Sequence, residues 1–208
     1  VSKNHDDFPY YHFPYTHLLT QIEHPIGLGQ LNNGFRNHSS LFFLNSLFYL
    51  PIVDIFLMHI SPVYFLGFSN LILLDLIRSK QIFLKFKFIN IFALLFFSLI
   101  NIFFYRLSEH GTDRSALILI FVLVIVYYQS LEYSKFFDRK KLINSYQNIL
   151  VLLLLIISLK SFYIIYVIVL FAWLVQFRSI LFKENLIKDL ITNNFTYLFI
   201  FGIFIFLL

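Results

Sequence analysis

Cysteine is absent from the 208 residues, which excludes disulfides and thiolate metal sites and leaves the redox compartment open. Charge is scarce as well. Asp, Glu, Lys and Arg make up 13% of the chain against 59% hydrophobic residues, a balance outside the soluble globular range. A signal-peptide pattern, an internal repeat and a low-complexity linker are all missing, so the chain reads as one domain. It opens on Val1 rather than Met and closes inside the apolar run Phe195 to Leu208. The expectation is therefore an internal piece of a longer membrane protein, with at least one spanning helix upstream. The net charge of +5 does not point to nucleic acid, because the Lys and Arg residues cluster between apolar blocks, where they orient a chain in a bilayer.

What is present is long apolar blocks, and their solvent is lipid. The sequence predicts an all-α, polytopic transmembrane helix bundle in two parts. Residues 1–40 form a polar loop carrying a short amphipathic helix, and residues 41–208 form the membrane region. Spans are expected near 59–77, 88–105, 116–131, 149–159, 162–177 and 195–208, with an interfacial or re-entrant piece over 41–57. Run as one helix, 149–177 would be about 43 Å long against a core of about 30 Å, so two helices meeting at Lys160 are preferred. The loop after 77 carries Arg78, Lys80, Lys85 and Lys87 with no acid, and the one after 131 carries Lys135, Arg139, Lys140 and Lys141. The hairpin between them, Arg106 to Ser115, is charge-balanced. This alternation puts 1–40 on the extracytoplasmic side.

Within 1–40, Pro14 suits the first turn of a helix and Pro25 lies just past its end. Tyr15, Leu18, Leu19 and Ile22 recur at helical spacing between them and form one apolar face. Just ahead stand Asp6 and Asp7. One reading makes them a cap and a solvated neighbour. The other makes one of them a general base on an acceptor hydroxyl, its pKa raised by the adjacent acid.

The run Asp7-Phe8-Pro9-Tyr10-Tyr11-His12-Phe13-Pro14 resembles the Asp-x-x-x-Tyr-His-Leu-Pro signature of bacterial GT-C membrane glycosyltransferases. These are the polytopic enzymes similar to protein mannosyltransferases and aminoarabinose transferases. Asp7, Tyr11, His12 and Pro14 match at the same spacing, and Phe13 stands for Leu. The run Asn33 to Ser40 and the step Leu159-Lys160-Ser161 are also similar to segments of such enzymes. The resemblance covers about the first 80 residues. It implies a sugar donor on a polyprenyl phosphate, transfer to a cell-envelope glycan, lipid or protein on the outer face, and Asp7 or Asp6 as the catalytic carboxylate. It also sets Tyr11 and His12 beside the substrate.

Arg36 is either an interfacial arginine or a clamp on the donor phosphate. Lys160 is either a turn residue reaching the interface or a second phosphate contact. Five of the seven histidines lie before residue 40, but His12 and His17 are five apart with Pro14 between them, and no tight ligand spacing appears. No metal is expected; a divalent cation, used in parts of the wider superfamily, is the lesser alternative. Asp75 and Arg78 are spaced for a helix-end ion pair, while Asp54 has no partner in sequence. The rival functions are an envelope polysaccharide polymerase or flippase, which places arginines in large later loops, and a transporter, which needs inverted repeats.

Overall fold

The computed structural model describes residues 7–22, 27–36, 39–78, 87–103, 111–135, 139–183 and 185–207. The fold is all-α, and the described residues contain no strand, only an isolated bridge between Leu50 and Asp54. Asp6, His5, His24, Pro25, His38, Lys80 and Lys85 lie outside the described residues.

The polar segment folds first on itself. A π-helical turn, Phe8–His12, runs directly into α1, Phe13–Gln21, and a proline sits at the start of each, where the missing N–H costs no hydrogen bond. Tyr15 is fully buried, and Leu18 and Leu19 pack beside it against Leu28, Phe35 and Phe42, so the predicted face is the buried one. Ile22 falls just past the helix end and is exposed. A short α2, Leu28–Leu31, follows Gly27, whose φ of 92° needs the freedom of glycine. A tight turn over Asn33–Arg36 leads on to α3, Ser40–Ser46, which packs on α1. After α3 the chain shows apolar side chains to its surroundings: Leu47, Ile52 at 97% exposure, and Phe56 at 72%. Such a surface suits the membrane interface expected for 41–57.

The helical bundle begins with α4, Ile60–Arg78, and α5, Lys87–Phe103. It continues with α6, Thr112–Lys135, and α7, Arg139–Leu159. A 3-10 turn, Ser161–Tyr166, then leads into α8, Val167–Lys183; α9, Leu186–Ile191, and α10, Asn194–Leu207, complete the described chain. Among the described residues, four segments are long and apolar enough to cross a membrane: Ile55–Arg78, Thr112–Ser134, Arg139–Leu159 and Ser161–Phe182. Helices α5 and α10 are apolar but shorter. The length and composition of these helices make this a membrane protein with a bilayer as its partner.

Two cores meet on α6. Leu119, Leu123 and Val126 face α7 and α8, where Leu150, Leu153, Trp173 and Phe177 fill the space. From the other side of α6, Ile118 and Ile125 meet Leu73 of α4 and Ile100 of α5. This two-sided burial is why α6 reads as a nearly unbroken apolar run rather than an amphipathic one. Helix α10 comes in close on α7 at Gly202, where a Cβ would sit 2.4 Å from Leu154 Cδ1. Asn70 and Asn101 exchange both amide hydrogen bonds, at 3.1 and 2.8 Å, and lock α4 to α5.

The stretch 149–177 is broken at Lys160, whose φ of −157° and ψ of 116° take it out of the helix. Asp75 and Arg78, both exposed near the end of α4, do not form the ion pair their spacing predicts. On a lone helix end, two long side chains lose more rotamer freedom than a screened contact returns.

Candidate functional site

The site lies where the polar segment docks on the break between α7 and the 3-10 turn. Ser39 caps α3 by accepting a hydrogen bond from Leu41 N, and its own hydroxyl donates to the Leu159 carbonyl at 2.5 Å. Next to it, Ser40 Oγ donates to Ser158 Oγ at 3.0 Å. The Leu159 carbonyl is one of the orphan acceptors a helix C-terminus leaves, and Ser39 satisfies it. The loop is thereby tied to the residues immediately before Lys160.

Lys160 then reaches α6. Its ammonium lies 2.6 Å from Asp113 Oδ1 and 2.7 Å from Oδ2, and Tyr163 donates its hydroxyl to Oδ1 at 3.3 Å. Asp113 is the second residue of α6, where the helix dipole favours a negative charge. Its neighbour Arg114 has a buried Nη1 with no hydrogen-bond partner among the described residues.

Tyr11 joins the two halves. Its hydroxyl is pushed up to about 12 by burial first, then by the negative charges of Asp7 and Asp113. The negative charges of Asp7, in the polar segment, and of Asp113, on α6, thus both act on this phenol. Gly34 makes room for it: a Cβ there would fall 2.4 Å from Tyr11 Cγ. The ring meets Phe42 edge-on at 6.3 Å and His12 at 4.3 Å. His12 is buried and leans on Phe42 at 5.4 Å. Asp7 itself is half-buried at the head of the π-helical turn.

Of the residues singled out from sequence, Asp7, Tyr11, His12 and Lys160 thus gather at one end of the bundle. Arg36 does not join them by any hydrogen bond or ion pair. It is exposed, and its Nε donates to the Gly29 carbonyl at 3.1 Å, closing the loop between α2 and the turn that follows. Asp113 and Tyr163 were not anticipated. The signal for Asp113 was an acid at the start of α6, on the same side of the bundle as the Lys160 break.

No group of three or more potential metal ligands lies together among the described residues. Both Asp113 oxygens are held by Lys160, which leaves a donor set poorly suited to a divalent cation. A separate acid, Asp54, is exposed at φ 53° and takes a hydrogen bond from Tyr49, which raises the pKa of that phenol. Asp54 belongs to the apolar loop after α3 and not to the Tyr11 centre.

No protein family, curated protein or solved structure matches this chain.

Proposed function

We propose that the protein is an integral-membrane glycosyltransferase, moving a sugar from a polyprenyl-phosphate carrier to a cell-envelope acceptor on the outer face of the bacterial inner membrane. The observation that carries this reading is the convergence of Asp7, Tyr11 and the Asp113–Lys160 pair where the docked polar segment meets the ends of α6 and α7. Apolar helices with a polar, two-carboxylate centre at one end suit a substrate that is half lipid and half sugar.

In this mechanism the Asp7 carboxylate takes the proton of an acceptor hydroxyl as its oxygen attacks the anomeric carbon. The bond from that carbon to the phosphate oxygen breaks, and the electron pair leaves with the polyprenyl phosphate, inverting the centre. Asp6, outside the described residues, is the alternative base. Lys160 is suited to the leaving group. An ammonium has three donors, and the single carboxylate of Asp113 does not engage all of them, which leaves donor capacity for a phosphate oxygen. Asp113 and Tyr163 fix the lysine in place. Tyr11 and His12 wall the sugar-binding side, while Arg36 contributes by holding the loop rather than by binding phosphate directly.

The test is to incubate the purified full-length protein with a polyprenyl-phosphate sugar, or with the matching nucleotide sugar, and an envelope lipid extract. Release of polyprenyl phosphate from the first donor alone is the expected result. Consumption of the nucleotide sugar alone, or of neither, would overturn the reading.

A further inference from the structure

About 30 Å along α7 from Lys160, at the opposite end of the bundle, Arg139 pairs with Asp189 and so fixes α9 against the start of α7. Beside this pair a cleft of about 620 Å³ opens between the last turn of α8 and α9. Its walls are Leu181, Phe182, Ile187 and Ile191, and its polar groups include Lys188 and Asn185. Phe182 and Ile191 are large apolar side chains left exposed there. Lys188 is exposed, with no ion pair or side-chain hydrogen bond among the described residues. The adjacent acid, Asp189, pairs with Arg139 instead.

Depth fixes the kind of ligand. Leu181 and Phe182 are the last residues of the segment Ser161–Phe182, which is long and apolar enough to cross a membrane, so the cleft sits at the level where hydrocarbon gives way to headgroups. Further basic side chains stand on the helices at this end of the bundle, with Lys140 and Lys141 exposed at the start of α7 and Arg178 exposed on α8. An unpaired ammonium over apolar walls at that depth complements a phosphate with acyl chains attached. A water-soluble anion would leave the apolar walls unused.

We propose that this cleft seats an anionic phospholipid, with the phosphate on Lys188 and the upper acyl chain against Phe182 and Ile191. The site is independent of the sugar-transfer reading, since none of its residues belongs to the Tyr11 centre.

The experiment is thermal unfolding of the detergent-purified full chain with added phosphatidylglycerol, with phosphatidylcholine of the same acyl chains, and with inorganic phosphate. A ligand that binds only the folded state raises the melting temperature, and raises it further as its free concentration climbs above Kd. Phosphatidylglycerol should raise it by several degrees, with phosphatidylcholine and phosphate giving no shift. Lys188→Gln should lose the shift, Lys188→Arg should keep it, and Ile191→Trp, which fills the cleft but keeps the charge, should lose it. An undiminished shift in both Lys188→Gln and Ile191→Trp would overturn the proposal. So would an equal shift with phosphatidylcholine, which makes the effect bulk lipid solvation, or with phosphate alone, which makes it a free-anion site.

Discussion

Lys160 and Asp113, 47 residues apart in sequence, meet in a bidentate ion pair with contacts of 2.6 and 2.7 Å. The pair joins the break after α7 to the first turn of α6, the two helices that share the main core. Its side chains are 34% and 51% exposed, so solvent screens much of the Coulombic attraction. A double-mutant cycle with Lys160→Gln and Asp113→Asn, followed by equilibrium unfolding, should give a coupling of about 0.5–1 kcal/mol. A coupling near zero would show that the pair holds no geometry in place.

Tyr11 supplies a pH signature. Its hydroxyl is raised from 10.0 to about 12, so between those values the folded chain keeps a proton that the unfolded chain gives up. Stability is therefore unaffected below pH 10 and falls as pH rises towards 12. Tyr15, raised to about 12 by burial alone, adds to the same decline. Asp7 is a contributor to the Tyr11 shift and is not named for Tyr15, so Asp7→Asn should lower the Tyr11 value and leave that of Tyr15 unchanged. Tyrosinate difference absorbance, with Tyr11→Phe subtracted to isolate the one phenol, measures this. No movement in Asp7→Asn would place that carboxylate away from Tyr11.

Ser39 does two tasks with one oxygen, capping α3 and donating to the Leu159 carbonyl. Losing a cap costs about 1 kcal/mol, and an unsatisfied buried carbonyl adds about 1–3 kcal/mol. Ser39→Ala should therefore destabilise by about 2–4 kcal/mol in the same unfolding measurement. Ser40→Ala, which removes a half-buried hydroxyl-to-hydroxyl bond, should cost about 1 kcal/mol or less.

Two glycines make a paired test. At Gly34 an added Cβ would be 2.4 Å from Tyr11 Cγ, 2.5 Å from its Cβ and 2.7 Å from its Cδ1, so the stem of that side chain must move. Gly34→Ala should cost about 1–3 kcal/mol and displace the phenol. Gly67, inside α4, has nothing within 4 Å of the same added atom. Gly67→Ala should instead be neutral, or stabilise by up to about 1 kcal/mol through helix propensity. Melting temperatures of the two variants, read side by side, check both signs.

The bundle was legible because its signals are local. Long apolar runs, prolines at helix starts and a lysine in a run too long for one helix are all visible within a few residues, and the helices α4 to α8 were expected from them, though α7 begins at Arg139, inside the stretch read as a basic loop. The half of the site that contains Asp7, Tyr11 and His12 was legible for the same reason, since the three lie within six residues of each other. Asp113 was hidden because the hairpin before α6 is charge-balanced, and nothing in the sequence says which of its charges pairs with Lys160. Arg36 was open to two readings because a guanidinium near a polar turn looks the same in sequence whether it waits for phosphate or bonds a backbone carbonyl. In the structure its Nε donates to the Gly29 carbonyl, and an added Cβ at Gly29 would lie 2.6 Å from Arg36 Cγ.

The base assignment is tested most directly by single-turnover transfer from a polyprenyl-phosphate sugar, comparing the wild-type full-length protein with Asp7→Asn and Asp54→Asn. Asp7→Asn should lose about 10²-fold or more with donor binding and membrane insertion unchanged, and Asp54→Asn should keep the wild-type rate. A wild-type rate in Asp7→Asn that persists when Asp6→Asn is added would contradict the assignment.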